Sequence, residues 1–197
     1  MEPLTENIAF AVIAYLLGSI PFALLVTRLF AGVDIRSQGS GHAGATNAMR
    51  TAGWTAGIIV MLLDIGKGYL AVWLAIRFGS TAAAPIVAGA GVVIGHCWPV
   101  FSGFRGGMGM ASGGGALLAI WPLGFVLAVG LGAALQLIIK HSARGNVATG
   151  LLLMPMWALF GANTTQLLLA LVVGLVIAAR AMSNWNRVYG ELWFDRE

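Results

Sequence analysis

A Gly-rich stretch at residues 39–50 has the residue types that bind a phosphate group. Small residues allow backbone N–H groups to approach a ligand, and successive N–H groups in such a loop form a nest for an anion. Hydroxyl, amide and guanidinium groups add side-chain donors. The candidate residues are Ser40, Gly41, Gly44, Thr46, Asn47 and Arg50. The Lys-Ser/Thr ending of a nucleotide-binding P-loop is missing, so the sequence excludes a nucleotide site and leaves a flexible turn as the alternative.

A second Gly-rich stretch, 95–109, combines a histidine with another candidate anion site. His96 precedes a turn at Pro99 and is a candidate base or orienting group; the alternative is an interfacial histidine with satisfied hydrogen bonds. Beyond the turn, Arg105 lies next to glycines that either bind an anion or let helices pack closely in lipid. Those glycines are Gly106, Gly107 and Gly109.

A polar tail and a buried pair of charges complete the candidates. Asn184 and Arg187 follow the last apolar run, where they either bind a ligand or anchor the chain at the membrane interface with Trp185. Asp64 and Lys67 lie three residues apart inside an apolar run and share one helix face. Charges at such depth face a cavity or each other, so this pair either lines a site or stabilises the bundle.

The composition indicates that these residues belong to a membrane protein. Of the 197 residues, 59% are hydrophobic and 9% are charged, against about 25% charged in an average soluble domain. This excludes a soluble globular domain, a disordered chain and a coiled coil. The net charge of +4 is too small and scattered for a nucleic-acid surface, and the single Cys97 excludes an internal disulfide or a cysteine-based zinc cluster. We predict an all-α integral membrane protein with one domain, 1–197.

The apolar runs predict about seven transmembrane helices. Two runs are divided, one at Trp121-Pro122, which is a turn signal, and one at the polar cluster 163–166. Some of the resulting helices are too short for a hydrocarbon core of about 30 Å, so they re-enter or pack inside the bundle. The predicted helices are 8–30, 55–77, 83–101, 109–121, 123–140, 148–161 and 165–180.

Basic residues orient these helices, because Lys and Arg are concentrated in cytoplasmic loops. Nine of the eleven Lys and Arg residues lie at four places along the chain, and the pattern assigns these places to one face of the membrane. Of the other two, Arg77 lies at a place that the pattern assigns to the opposite face, and Lys67 lies inside an apolar run. The nine are Arg28, Arg36, Arg50, Arg105, Lys140, Arg144, Arg180, Arg187 and Arg196. The N-terminus is then outside, and all three polar stretches meet at the inner face. They predict a site for one or two phosphate-bearing substrates, with acyl chains between the helices. Lys140, His141 and Arg144 either line it or mark topology.

In these stretches the chain resembles the bacterial acyl-phosphate:glycerol-3-phosphate acyltransferases. The similarity runs over almost the whole length, with the motifs in the same order. It is carried by 17–22, 32–36, 39–50, 63–68 and 95–109. The resemblance implies seven membrane helices in the bacterial inner (cell) membrane, and the charge pattern predicts that the motif loops and C-terminus are cytoplasmic. It also implies transfer of a fatty acyl group from acyl phosphate to the 1-position of glycerol 3-phosphate, giving lysophosphatidic acid for phospholipid synthesis.

The resemblance also implies roles for the candidate residues. Acyl phosphate is an activated mixed anhydride, so the protein has to hold two phosphates, orient a hydroxyl and stabilise oxyanion charge. The partners are acyl phosphate, glycerol 3-phosphate and membrane lipid, with no metal and no cofactor. The implied catalytic residues are Ser40, Asn47 and His96. The implied phosphate-binding residues are Gly41, Gly44, Thr46, Arg50, Arg105, Gly106, Gly107, Gly109, Asn184 and Arg187.

Four positions depart from the family's motifs, and two of them, Met108 and Ala181, replace groups that the resemblance places beside glycerol 3-phosphate. His42 stands for Asn, Met108 for Lys, and Ala181-Met182 for His-Arg. A charged hydrogen bond lost from a phosphate site costs about 1.5–3 kcal/mol. The sequence therefore leaves three alternatives to full activity: weak activity, another alcohol acceptor, or a non-catalytic lipid-binding role. A coenzyme A-dependent acyltransferase is disfavoured, because no histidine is followed by four residues and an Asp.

Overall fold

The computed structural model describes residues 2–187, and all the regular secondary structure among these residues is helical, as predicted. Nine α-helices and two short 3-10 helices, Ile35–Ser37 and Val100–Ser102, make up this part of the chain. The α-helices are α1 (Pro3–Gly18), α2 (Phe22–Ala31), α3 (Ala45–Ala52), α4 (Trp54–Phe78), α5 (Ala84–Cys97), α6 (Met110–Ile120), α7 (Pro122–Ile139), α8 (Ser142–Leu159) and α9 (Thr164–Met182).

Helices are present in all seven predicted membrane segments, the first of which is divided in two, and the chain is a multi-pass integral membrane protein. Five segments are long and apolar enough to cross a bilayer, while α6 has 11 residues. The five are Pro3–Ala31, Trp54–Phe78, Ala84–Ser102, Pro122–Ile139 and Thr164–Met182. Both predicted divisions are confirmed. Trp121 separates α6 from α7, and Asn163 caps α9 in a capping box with Gln166.

Besides smaller shifts at helix ends, such as the start of α1 at Pro3 where residue 8 was predicted, the helices differ from the prediction in three places. The first run, 8–30, is broken at 19–21, where Pro21 lacks the N–H that an uninterrupted helix needs. Residues 45–52, predicted as part of a loop, form α3, because Ala48 is buried in one apolar cluster with Val60 of α4 and so buries one face of the short helix. Helix α8 begins six residues earlier than predicted, since His141 accepts a hydrogen bond from Arg144 N and caps it.

Small residues let the helices approach closely, as is usual in lipid. A Cβ at Gly115 of α6 would lie 2.8 Å from Tyr69 N of α4. Gly150 of α8 and Gly174 of α9 are likewise so close that a Cβ on either would overlap the other's backbone. Glycines inside the helices therefore allow close helix packing. The glycines of the two polar stretches lie instead at the end of the bundle.

The bundle has two distinct ends. At one end, which we call the loop end, lie residues 32–44, 98–109, 140–141 and 183–187. Arg36 Nη1 donates to Ser102 O at 3.0 Å, and Arg144 lies over the Trp185 ring, so these segments touch one another. At the opposite end, Glu6 of α1 accepts hydrogen bonds from Ser80, between α4 and α5. The predicted return of the chain between 105 and 140 is therefore made by α6 and α7.

Candidate active site

Asn47 holds the first loop, residues 38–44, in shape. It is 3% exposed on α3, and its Nδ2 donates to Gln38 O at 3.0 Å, to His42 O at 3.1 Å and to Ile35 O at 3.3 Å. Its Oδ1 accepts from Ser40 N at 3.3 Å. Both ends of the amide are engaged with backbone, so the geometry favours a positioning role over the catalytic one that the resemblance implied.

The N–H groups of the first loop are turned inward. Gly41 N donates to Gln38 O at 2.9 Å, Gly44 N to His42 O at 3.1 Å, and His42 N to Ser40 Oγ at 3.4 Å. The predicted nest of successive N–H groups is therefore not formed by this loop. Helix geometry leaves the N–H groups of residues 45–47, in the first turn of α3, without an acceptor inside the helix.

Helix α3 carries two further polar side chains of the first polar stretch. Thr46 and Arg50 are both exposed and lie one turn apart, on the same face of the helix. Ser40 is buried, and its hydroxyl oxygen accepts a bond from His42 N, which leaves the hydroxyl hydrogen for another acceptor. Thr46 and Arg50 place a hydroxyl and a guanidinium on one face of α3, and the N-terminus of α3 adds helix N–H groups, all of which are donor types suited to an anion.

The second loop, residues 98–109, is interlocked with the first. Ala43 N donates to Gly106 O at 3.4 Å, and Gly107 N donates to His96 O at 3.1 Å. Gly107 is buried, and a Cβ there would lie 2.8 Å from Ala43 O. Gly109 has φ +85° and begins α6. Arg105 is exposed beside the buried Gly106 and Gly107, so these glycines pack the loops together and the guanidinium faces outward.

Two arginines tie the loops to the rest of the loop end. Arg180 of α9 donates from Nε to Gly107 O at 3.0 Å and from Nη2 to Gly106 O at 3.4 Å, and it lies over the Trp98 ring. Arg36 is held by Asp34 through its Nη2, at 2.6 Å, and these bonds place the pKa of the Asp34 carboxyl well below its usual range. Sequence reasoning treated Arg36 as a topology charge and Arg180 as part of the polar tail, which either binds a ligand or anchors the chain at the interface. Their carbonyl partners lie far away in sequence, and no local pattern indicates them.

The tail meets the first loop at His42. Asn184 is buried and hydrogen-bonds the His42 side chain. Burial lowers the pKa of His42 to about 4, and the positive charges of Arg180 and Arg187 act in the same direction, while the Asn184 bond opposes them. His42 is therefore neutral near pH 7. Arg187 itself is exposed, so this corner offers a guanidinium, an amide and a neutral imidazole.

A buried ionisable trio lies beneath the loops. Asp64 Oδ1 is 2.8 Å from Lys67 Nζ and 3.4 Å from His96 Nδ1. Lys67 also donates to Ile20 O, at the break between α1 and α2, at 3.1 Å. Asp64, Lys67 and His96 line one small cavity together with Ala43 and Gly106. The predicted buried pair is confirmed as a contact, and it reaches the histidine of the second motif.

Two of the departures from the family's motifs lie side by side. Met108 is half-buried and packs against an apolar cluster formed by α8 and α9. The cluster consists of Val147, Ala178 and Ala181. Where the resemblance implied a lysine and a histidine, this chain therefore has one continuous apolar contact.

The fold and these loops define an integral membrane protein that gathers polar and basic side chains at one end of its helical bundle. More particularly, the chain belongs to the glycerol-3-phosphate acyltransferase family, whose sequence profile matches residues 8–191. It is an acyltransferase.

Relatives and solved structures agree with this family. The chain is 46% identical to the glycerol-3-phosphate acyltransferase of Laribacter hongkongensis over 141 residues, 70% of each protein. It is 37% identical to that of Desulforamulus reducens over 176 residues, 89% of this chain and 88% of the relative. It is also similar to the crystal structure of PlsY (YgiH), an integral membrane glycerol 3-phosphate acyltransferase, in its glycerol 3-phosphate form (32% identity, TM-score 0.80). The lysophosphatidic acid form gives 31% identity and a TM-score of 0.79; each match covers 92% of this chain and 90% of the other.

Proposed function

We propose that this protein transfers a fatty acyl group from acyl phosphate to the 1-hydroxyl of glycerol 3-phosphate. The hydroxyl oxygen forms the new ester bond with the acyl carbon, the bond from that carbon to the phosphate oxygen breaks, and inorganic phosphate leaves with the bonding electrons. The product is lysophosphatidic acid. The observation that carries the proposal is the meeting of both Gly-rich loops and the tail at one end of a bundle. That bundle matches PlsY in its glycerol 3-phosphate and lysophosphatidic acid forms.

Two corners of the loop end suit the two phosphates. The first turn of α3, with Thr46 and Arg50, is suited to the phosphate of the acyl donor, because it offers charge-assisted and backbone donors together. Arg187 and Asn184, beside His42, are suited to the phosphate of the acceptor. The Ser40 hydroxyl is suited to stabilise the oxyanion that forms on the acyl carbonyl. The exposed Arg105 adds positive charge to the surface of the loop end. The glycines of both loops allow the two loop backbones to approach closely.

We infer the orientation of the protein from its charge pattern and its membrane from its bacterial relatives. We assign the protein to the bacterial cell membrane, with the loop end and the C-terminus in the cytoplasm and the N-terminus outside. The support is that the described basic residues outside the helix interiors gather at the loop end, apart from Arg77. Arg196 lies outside the described residues. A cytoplasmic loop end gives the site access to water-soluble glycerol 3-phosphate.

A second candidate keeps the acyl donor and changes the alcohol. The observation that favours it is the apolar contact between Met108 and Ala181, which removes two ionisable groups from the acceptor side. A panel of alcohols with and without a phosphate, each supplied with acyl phosphate, separates the two candidates. The first predicts the highest kcat/KM with glycerol 3-phosphate, and the second predicts it with another alcohol.

Purified protein in lipid nanodiscs, supplied with palmitoyl phosphate and radiolabelled glycerol 3-phosphate, tests the proposal. We expect labelled lysophosphatidic acid and stoichiometric inorganic phosphate. Arg50→Ala should lower kcat/KM by about 10- to 100-fold, the loss expected for one charged hydrogen bond. Arg77→Ala, which removes an arginine at the opposite end, is the matched control and should leave the rate unchanged. No lysophosphatidic acid from well-folded native protein would overturn the proposal.

A further inference from the structure

The start of helix α8 adjoins the tail at the corner that suits the acceptor's phosphate. Helices α8 and α9 run in opposite directions. Gly150 lies against Gly174, and six residues earlier in α8 the Arg144 guanidinium lies over the Trp185 ring, 5.4 Å from its centroid. Trp185 directly follows Asn184, one of the residues of that corner. The first turn of α8 is therefore next to it.

The face of α8 that carries Arg144 also borders the apolar contact made by Met108. Val147 belongs, with Ala178 and Ala181, to the cluster against which Met108 packs. Residues three apart share one face of a helix, so the exposed Arg144 lies on the same face as Val147, one turn nearer the loop end. A positive charge therefore lies about one turn from the two positions where the resemblance implied ionisable side chains.

His141, which caps α8, adds a buried donor. It is 8% exposed, and its Nδ1 accepts a hydrogen bond from Arg144 N at 3.4 Å. The ring hydrogen is therefore on Nε2, which is buried and has no hydrogen-bond partner within residues 2–187. Buried polar groups of native proteins nearly always have a partner, so this N–H indicates an acceptor that a ligand supplies.

The backbone at the start of α8 offers donors of the same kind. The first N–H groups of an 18-residue helix have no acceptor inside it, and the positive end of the helix dipole lies there. A guanidinium, an imidazole N–H and helix N–H groups together suit an anion with several oxygens. A phosphate has this chemistry, and an uncharged alcohol does not.

We propose that His141 and Arg144 bind the phosphate of glycerol 3-phosphate and replace the lysine and histidine whose positions Met108 and Ala181 occupy. The phosphate accepts hydrogen bonds from His141 Nε2 and from the Arg144 guanidinium, which Trp185 holds by stacking. The two residues act on binding of the acceptor and take no part in bond making or breaking. This inference rests on the proposed function and adds to it the residues that select a phosphorylated acceptor.

A purely structural role for the two residues makes a different prediction. Because His141 caps α8, a poor replacement would lower activity through the fold alone. Asn is among the best N-cap residues, so His141→Asn keeps the cap and removes Nε2. Arg144→Gln keeps a long polar side chain and removes the charge. A role confined to folding would lower the unfolding temperature and affect both substrates alike, whereas a role in binding would affect the acceptor alone.

The test measures kcat, the KM for each substrate and the unfolding temperature in lipid nanodiscs, with glycerol as an acceptor without phosphate. We expect Arg144→Gln and His141→Asn each to raise the KM for glycerol 3-phosphate by about 10- to 100-fold, the loss of one charged hydrogen bond. The KM for palmitoyl phosphate should stay within about threefold of native, and the preference for glycerol 3-phosphate over glycerol should fall with the rising KM. Arg28→Gln, which removes an exposed arginine paired with Asp34, is the matched control and should leave both KM values unchanged.

A second variant tests the replacement itself. In Met108→Lys/Arg144→Gln the lysine returns the lost charge, so the KM for glycerol 3-phosphate should fall back to within about threefold of native. A KM no lower than that of Arg144→Gln would overturn the inference. It is also overturned if native protein makes lysophosphatidic acid while either single variant keeps the native KM for glycerol 3-phosphate or raises both KM values alike. Absence of product from the native protein would instead contradict the proposed function.

Discussion

At the scale of single residues, the surroundings of a side chain decide its role more than its type does. Asn47 and Asn184 are both buried amides at the loop end. Asn47 bonds four backbone groups of its own neighbourhood and shapes a loop, while Asn184 bonds a histidine that comes from that loop. The sequence motif predicts both residues but not this division of work, because it depends on where the loop folds.

Met108 and Ala181 provide a prediction for acceptor binding. Met108 is half-buried with an unbranched side chain, so Met108→Lys should be tolerated and should lower the KM for glycerol 3-phosphate by up to about 10- to 100-fold, the effect of one added charged hydrogen bond. Ala181 is 0% exposed, so Ala181→His alone should overpack the cluster and cost about 1–3 kcal/mol of stability. Steady-state kinetics and thermal unfolding measure the two effects. An unchanged KM in folded Met108→Lys would show that residue 108 does not face the acceptor.

His42 predicts a loss of stability on mild acidification. Its pKa is about 4 in the folded protein and about 6.5 in an unfolded chain, so the unfolded state binds a proton first as the pH falls. Stability is then complete above about pH 6.5 and declines toward pH 4. His42→Asn removes the titrating group and keeps a polar side chain beside Asn184. The unfolding temperature of this variant should fall less between pH 7 and pH 4.5 than that of the native protein, and equal slopes would contradict this origin.

At the scale of elements, the period and length of apolar runs predict the membrane helices but not the pieces between them. The division at Trp121 was predicted because Pro and Gly follow it, and that at 163 because polar residues interrupt the run. Helix α3 was missed, since its helix formers stand among glycines and it is stabilised by packing on α4. Arg180 donates hydrogen bonds to Gly107 and Gly106 of the second loop, which precede it in the sequence by 73 and 74 positions. No local sequence pattern encodes such distant contacts.

The crossing of α8 and α9 provides a stability prediction. Gly150→Ala places a methyl group against the backbone of Gly174 and 3.2 Å from Ala178 Cβ, so it should cost about 1–3 kcal/mol. Gly130→Ala is the matched control, because an added Cβ meets nothing within 4 Å there and alanine favours a helix. Thermal unfolding of the two variants in the same detergent should therefore move in opposite directions. A Gly150→Ala variant as stable as the native protein would contradict the close crossing.

At the scale of the whole molecule, the polarity of the bundle makes the function possible. Sparse charge and many glycines gather at the loop end, while the helix faces elsewhere are apolar and exposed to lipid, as on α7. A lipid-soluble acyl donor and a water-soluble phosphate ester can therefore meet at one surface. The charge pattern of the sequence predicted this arrangement. The structure adds which backbone groups join the loops.

Single-cysteine labelling tests the orientation of the bundle. Cys97 is fully buried, so the native protein serves as the unlabelled background. Ser37 lies at the loop end, and Thr164 lies at the opposite end, and both are exposed. In intact cells, a membrane-impermeant maleimide should label Thr164→Cys at once and Ser37→Cys after permeabilisation. The reverse pattern would place the loop end outside the cell.

Complementation tests the central claim most directly. The native chain and Arg50→Ala are expressed in a bacterium whose own glycerol 3-phosphate acylation step has been switched off, and growth and labelled lysophosphatidic acid are measured. The account predicts growth and product with the native chain, together with a strong decrease in both with Arg50→Ala at equal membrane abundance. Absence of growth and product with native chain present in the membrane would contradict it.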